Sequence, residues 1–147
     1  LFLLPIDKFN EPRNLMKFPF SKIFRNHKKN IPGIVEKKLI DIFPKAKNID
    51  WERKDELFEA IYYLEEVEHI AQFTETGELI QYKKNLWPDE LPEILKTEGG
   101  KFGEIMNGIV IYRGTDLFYE MIVRNEKLDR YEFLYDTDGI LISSALL

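Results

Sequence analysis

Asp136-Thr137-Asp138-Gly139 is the stretch whose residue types most suggest chemistry, since spaced carboxylates before a glycine can wrap a calcium ion. A calcium loop of the EF-hand type needs oxygen ligands at positions 1, 3, 5 and 12, with glycine at 6. Setting Gly139 at position 6 puts Leu134 at 1 and Ala145 at 12, so both ends lack an oxygen. Asp and Gly also dominate turns for backbone reasons, and a hairpin turn is the expectation. The two histidines, His27 and His69, are far apart in the chain. A general base or metal ligand needs partners at fixed spacing. His69 has only Glu66 and Glu68 beside it and reads as a half-buried strand histidine. Gly99-Gly100-Lys101 lacks both the first glycine of a phosphate loop and the hydroxyl residue after the lysine, where Phe102 stands. It reads as a helix terminator. No G-x-S-x-G sequence is present. The carboxylate pairs Glu65-Glu66, Asp89-Glu90 and Asp136/Asp138 are expected by chance among 26 acidic residues and read as solvated turns. Cysteine is absent, which removes disulfides, thiol nucleophiles and thiolate metal sites. The sequence therefore assigns no catalytic, cofactor-binding or metal-binding residue, and the chain reads as a non-enzyme.

The charge is unevenly spread. Residues 1–30 hold seven Lys or Arg against Asp7 and Glu11, a net of +5, whereas the remainder carries −10. An acidic body speaks against nucleic-acid binding, which depends on phosphate neutralisation. The basic arm 1–30, interrupted by Pro5, Pro12 and Pro19, reads as a solvated leader with one short helix near 20–28. No run approaches the roughly 18 apolar residues of a membrane span. The chain opens on Leu1 rather than Met, which suggests a processed or truncated form, and Leu1-Phe2-Leu3-Leu4 is too short to meet the signal-peptide criteria but could be the remnant of one.

What positions these residues is a pattern written twice. Leu57-Phe58-Glu59-Ala60-Ile61-Tyr62 returns as Phe118-Tyr119-Glu120-Met121-Ile122-Val123, and Thr76-Gly77-Glu78-Leu79-Ile80 as Asp138-Gly139-Ile140-Leu141-Ile142. The offset is 60 at Pro32/Pro92, 61 at Glu59/Glu120 and 62 at Gly77/Gly139, as two single-residue loop insertions would give. Ile31, Ile34, Val35, Leu39, Ile42 and Phe43 follow the spacing of an amphipathic helix over 32–43, stopped by Pro44. Strands are expected at 46–54, 56–64, 67–74 and 78–83, joined by links so short that they must be antiparallel hairpins. A second helix begins at Leu91-Pro92 and ends or breaks at Gly99-Gly100, before strands at about 104–112, 117–124, 128–135 and 140–145. The organisation is a basic arm at 1–30, a first αββββ repeat at 31–86 and a second at 87–147, within one domain.

Period-2 alternation divides each strand between two faces. Phe58, Ala60, Tyr62, Tyr119, Met121 and Val123 are expected beneath the helices. Glu59, Ile61, Tyr63, Glu120, Ile122 and Arg124 are expected on an open face that could engage a partner. Trp51 and Trp87 read as buried structural residues, although interface hot spots favour tryptophan.

The order of Phe43-Pro44, Trp51-Glu52, a Phe/Tyr-Glu strand, Thr76-Gly77, Leu91-Pro92, Tyr119-Glu120 and Asp136-Thr137-Asp138-Gly139 resembles the PepSY-like proteins. These are also called β-lactamase-inhibitor-like proteins and are common in Bacteroidetes. The resemblance covers about residues 31–145. It implies an α+β fold of tandem helix-plus-four-strand repeats, an antiparallel sheet with helices on one face, and export to the periplasm or cell envelope. It brings no catalytic residues. The expected function is a non-enzymatic binding module for a protein or peptide, an inhibitor or propeptide-like chaperone of an exported enzyme. The alternative is a small-ligand carrier with a pocket between sheet and helices.

Overall fold

The computed structural model describes residues 30–147. His27, the expected helix near 20–28 and residues 1–29 of the basic arm lie outside them. The described chain divides into two compact units between Lys84 and Asn85. Each contains one α-helix and antiparallel strands in sequence order.

The first unit holds α1 (Gly33–Ile42), β1 (Lys47–Lys54), β2 (Leu57–Leu64), β3 (Val67–Phe73) and most of β4 (Leu79–Leu86). Pro32 is the cap of α1 rather than part of its first turn, and its carbonyl accepts the Val35 and Glu36 N–H groups at 2.9 and 3.2 Å. The helix ends where Phe43 returns its N–H to Leu39 O at 2.7 Å, one residue before Pro44. Val35 and Leu39, one turn apart, are fully buried against Phe58, Ala60, Tyr62, Ala71 and Phe73. The hairpin from β2 to β3 turns on Glu65 and Glu66, whose φ angles of +49° and +65° are those of a two-residue turn matched to strand twist.

The second unit begins with the last two residues of β4. It continues through a 3₁₀ turn (Pro88–Glu90), α2 (Glu93–Gly100), β5 (Glu104–Arg113), β6 (Asp116–Arg124), β7 (Arg130–Asp136) and β8 (Leu141–Leu146). The start of α2 repeats that of α1, since Pro92 O accepts from Leu95 and Lys96 at 2.9 and 3.1 Å. Leu91 and Leu95 cover Val110, Met121, Val123, Phe133 and Tyr135, with Tyr119 at the margin. The helix ends at Gly100, as expected of the glycine pair, with Gly99 in its last turn. A Cβ on Gly99 would meet Met121 Cε at 3.0 Å and Ile105 Cδ1 at 3.1 Å, so glycine lets helix and strands approach closely. A register shift between Ile105 and Asn107 places Ile105 in the same core as Val110, against strict alternation.

Three hairpins share one turn. Thr74 and Glu78, Asp136 and Ile140, and Asn125 and Asp129 each join through an N–H to carbonyl bond of 2.9–3.0 Å. In each, the side-chain oxygen of the first residue accepts the N–H of the last at 2.9–3.1 Å. The fourth position needs positive φ. Gly77 and Gly139 supply it at +86° and +81°, and Leu128 takes it at +68°. Gly139 rests on Ile94 of α2, and Gly77 on Ile34 of α1.

Candidate functional site

The face away from α1 is built in cross-strand rows. Glu52, Glu59, Gln72 and Gln81 stand opposite one another on β1 to β4, as do Asp50, Ile61, Ile70 and Lys83. Two carboxylates opposite each other repel. Glu59 offsets this by drawing Lys54 Nζ to Oε1 at 2.7 Å and accepting from Gln72 Nε2 at Oε2, also at 2.7 Å. It is only 4% exposed. Ile61, 3% exposed, packs with Ile70 in a small apolar cluster of its own. These two residues are buried rather than open to solvent, which corrects the simple alternation of one covered and one bare face. Tyr63, next on the same face, is half-buried and donates its hydroxyl to buried Glu68 Oε2 at 2.8 Å.

In the second unit the face away from α2 carries Glu120, Ile122 and Arg124 on β6, all half-buried. Arg124 Nη2 meets Glu104 Oε2 at 2.6 Å across the β5–β6 pair. Ile122 stands between Asn107 and Glu132. The patch is thus an aliphatic residue beside polar neighbours and one cross-strand ion pair, a composition suited to a polar protein contact.

Among the described residues no group of three or more His, Asp or Glu side chains could hold a metal ion. Asp136 Oδ1 accepts the N–H groups of Asp138 and Ile140, both at 2.9 Å, so one oxygen of the candidate calcium loop is engaged by its own turn. Glu65, Glu66, Asp89, Glu90 and Asp138 are exposed turn residues. Trp87 is buried, and its backbone N–H donates to Glu90 Oε2 at 2.6 Å. Trp51 is half-buried at the edge of the first core, 6.1 Å from the Phe73 ring.

Two cavities lie within single units. The larger, about 490 Å³, is lined by Pro88, Glu93, Lys96 and Glu104 among others. Its charges are matched inside the protein: Lys96 pairs with Glu93 at 2.7 Å, and Glu104 with Arg124. The smaller, about 410 Å³, opens where α1 ends against the β2–β3 hairpin. Ile42, Phe43, Pro44, Leu64 and Val67 form its apolar wall, and Lys45, Glu65, His69 and Lys84 its polar one. His69 faces Tyr62 and Lys84 across the ladder and stacks on the Tyr62 ring at 5.5 Å. It is 7% exposed, and its Nδ1 has no hydrogen-bond partner among the described residues. The sequence reads His69 as a half-buried strand histidine, and the fold buries it further. The cavity needed the end of α1 and the placement of Lys84, which no local spacing announces.

Burial, reinforced by the Lys84 ammonium, lowers the His69 pKa to about 4 from 6.5. The unfolded chain therefore binds the extra proton between those values, and stability is full above pH 6.5 and falls as pH drops toward 4. The loss expected by pH 5 is about 2 kcal/mol. Urea unfolding of wild type and His69→Gln at pH 7.5 and pH 5 tests it. The wild type should lose that much more than the variant, and equal losses would refute the assignment.

Fold and sites together define an α+β protein of two helix-plus-four-strand units with a β-lactamase-inhibitor-like fold. A DUF2874 family protein from Bacteroides uniformis superposes with a TM-score of 0.71 at 16% identity, over 78% of this chain and 88% of that one. A candidate periplasmic protein from Bacteroides eggerthii gives 0.73 at 17%, over 80% and 90%. A BLIP-like protein from Bacteroides fragilis gives 0.66 at 13%, over 86% and 92%. At these identities the likeness is one of fold. No protein-family model and no curated protein matches the sequence. Among the described residues no helix is long and apolar enough to cross a membrane.

Proposed function

We propose that the protein is a non-enzymatic binding module, an inhibitor or propeptide-like chaperone of an exported enzyme, acting in the periplasm or cell envelope. The observation that carries this reading is the helix-free face of each unit, with half-buried Tyr63 in the first and Glu120, Ile122 and Arg124 in the second. Tyrosine and arginine are the residue types that anchor protein interfaces. Glu59 and Ile61 contribute by holding the face in shape beneath that contact. The fold shared with a BLIP-like protein supports the reading, and kinship with PepSY-like proteins and descent of the two units from one repeat belong to the same proposal.

Affinity capture from native extract tests it. A single enzyme held by wild type should be lost at least tenfold by the combined Tyr63→Ala, Ile122→Ala and Arg124→Ala variant. It should be retained by Lys37→Ala, at an exposed helix position. Capture unaffected by the triple variant would refute the face. A second reading, a small-ligand carrier, is favoured by one observation, the cavity beside buried His69.

A further inference from the structure

We propose that the cavity at the end of α1 binds a small organic acid, its anionic head between Lys84 and His69 and its apolar body against Ile42, Phe43, Leu64 and Val67. The inference rests on the ligand-carrier reading and gives that ligand its chemical class. It is independent of the protein-binding face.

Four observations converge on it. The volume, about 410 Å³, falls within the ~300–1,000 Å³ of small-molecule pockets. The wall is apolar on one side and polar on the other, as such pockets are when a few groups fix orientation. The polar side carries two ammonium groups, Lys45 and Lys84, against one carboxylate, Glu65, so the charge a ligand meets is positive. Finally, His69 Nδ1 is buried without a partner among the described residues. A buried polar atom left unmatched is costly, and a ligand oxygen or hydroxyl would relieve it. Neutral imidazole can present Nδ1 as donor or acceptor, so Lys84 supplies the charge and His69 the directional bond. His69 and Lys84 are directly opposite on β3 and β4, so the pair is held by the ladder rather than by a loop. Phe43, packed on Tyr62 at 5.0 Å between ring centroids, keeps the apolar wall rigid.

The probe is octanoate, compared with 1-octanol and octylamine, which keep the body and change the head. Two-dimensional NMR titrations at pH 7.5 would follow the His69 imidazole and the amides of Phe43, Leu64 and Val67. Octanoate should give saturable shifts there, and Lys84→Gln should weaken it at least tenfold while leaving the rest of the spectrum in place. Lys84 is a half-buried strand residue, so this variant removes the charge and keeps the fold. Octanol or octylamine binding as tightly as octanoate would overturn the anion assignment but keep the cavity as a ligand site. Equal octanoate affinity in Lys84→Gln would overturn it likewise. No saturable shift with any of the three would overturn both the assignment and the carrier reading.

Discussion

Gly103→Ala is expected to lower the stability of the second unit by about 3 kcal/mol. Gly103 joins α2 to β5 with φ at +156°, a conformation side-chain-bearing residues rarely adopt. A Cβ there would run into the carbonyl oxygen of Arg124, with the carbonyl carbon at 2.9 Å and Asn125 Cα at 3.1 Å. All three are backbone atoms, so no rotamer change makes room. The strand itself must move, and it is the strand end where Glu104 pairs with Arg124 in register and by a 2.6 Å ion pair. Strain and lost pairing therefore add. Gly100→Ala is the internal control: nothing lies within 4 Å of its Cβ, and it is helical. Alanine there should stabilise by up to about 1 kcal/mol. Urea unfolding of the two variants beside wild type should move the midpoints in opposite directions. A Gly103→Ala midpoint equal to wild type would contradict the close approach.

Leu39→Ala is expected to cost about 3 kcal/mol, within the usual range for a buried leucine whose cavity cannot fully collapse. Leu39 is wholly buried, and with Val35 it is the means by which α1 holds Phe58, Ala60, Tyr62, Ala71 and Phe73. Those partners lie on two neighbouring strands, β2 and β3, so the void has walls that cannot all close in. Ile40, the next residue, is 42% exposed, and Ile40→Ala should cost under about 1 kcal/mol. Thermal and urea unfolding check the pair. Amide exchange adds a spatial test, since protection should fall first in β2 and β3, beneath the loosened helix. Equal costs for Leu39→Ala and Ile40→Ala would contradict the packing of α1.

Much of this was legible in the chain. Local rules decide where a helix or hairpin can form, and here they agree with one another. Val35 and Leu39 share a face at helical spacing, Pro44 ends that helix, and the links between strands are too short for anything but hairpins. Asp136 to Gly139 read correctly as a turn, because the demand for positive φ and a side-chain acceptor is met within five residues. Alternation named Phe58, Ala60, Tyr62, Met121 and Val123 as core, since side chains on a strand point up and down in turn.

The tertiary structure decided whatever depends on residues distant in sequence. Burial of Glu59 rests on Lys54 and Gln72 from the two neighbouring strands, so alternation could choose its face but not its exposure. The shift at Ile105/Asn107 places Ile105 with the core, because one extra residue reverses the side a strand presents. Gly99 read as a terminator, and only its contacts with Met121 and Ile105 show that it admits the strands to the helix. The chain by itself determined the elements and their inner faces, because backbone geometry and period act over a few residues. Only packing brought Phe43, Leu64, His69 and Lys84 around one cavity, because its walls come from the end of a helix, a hairpin and two strands that meet only when the unit is folded.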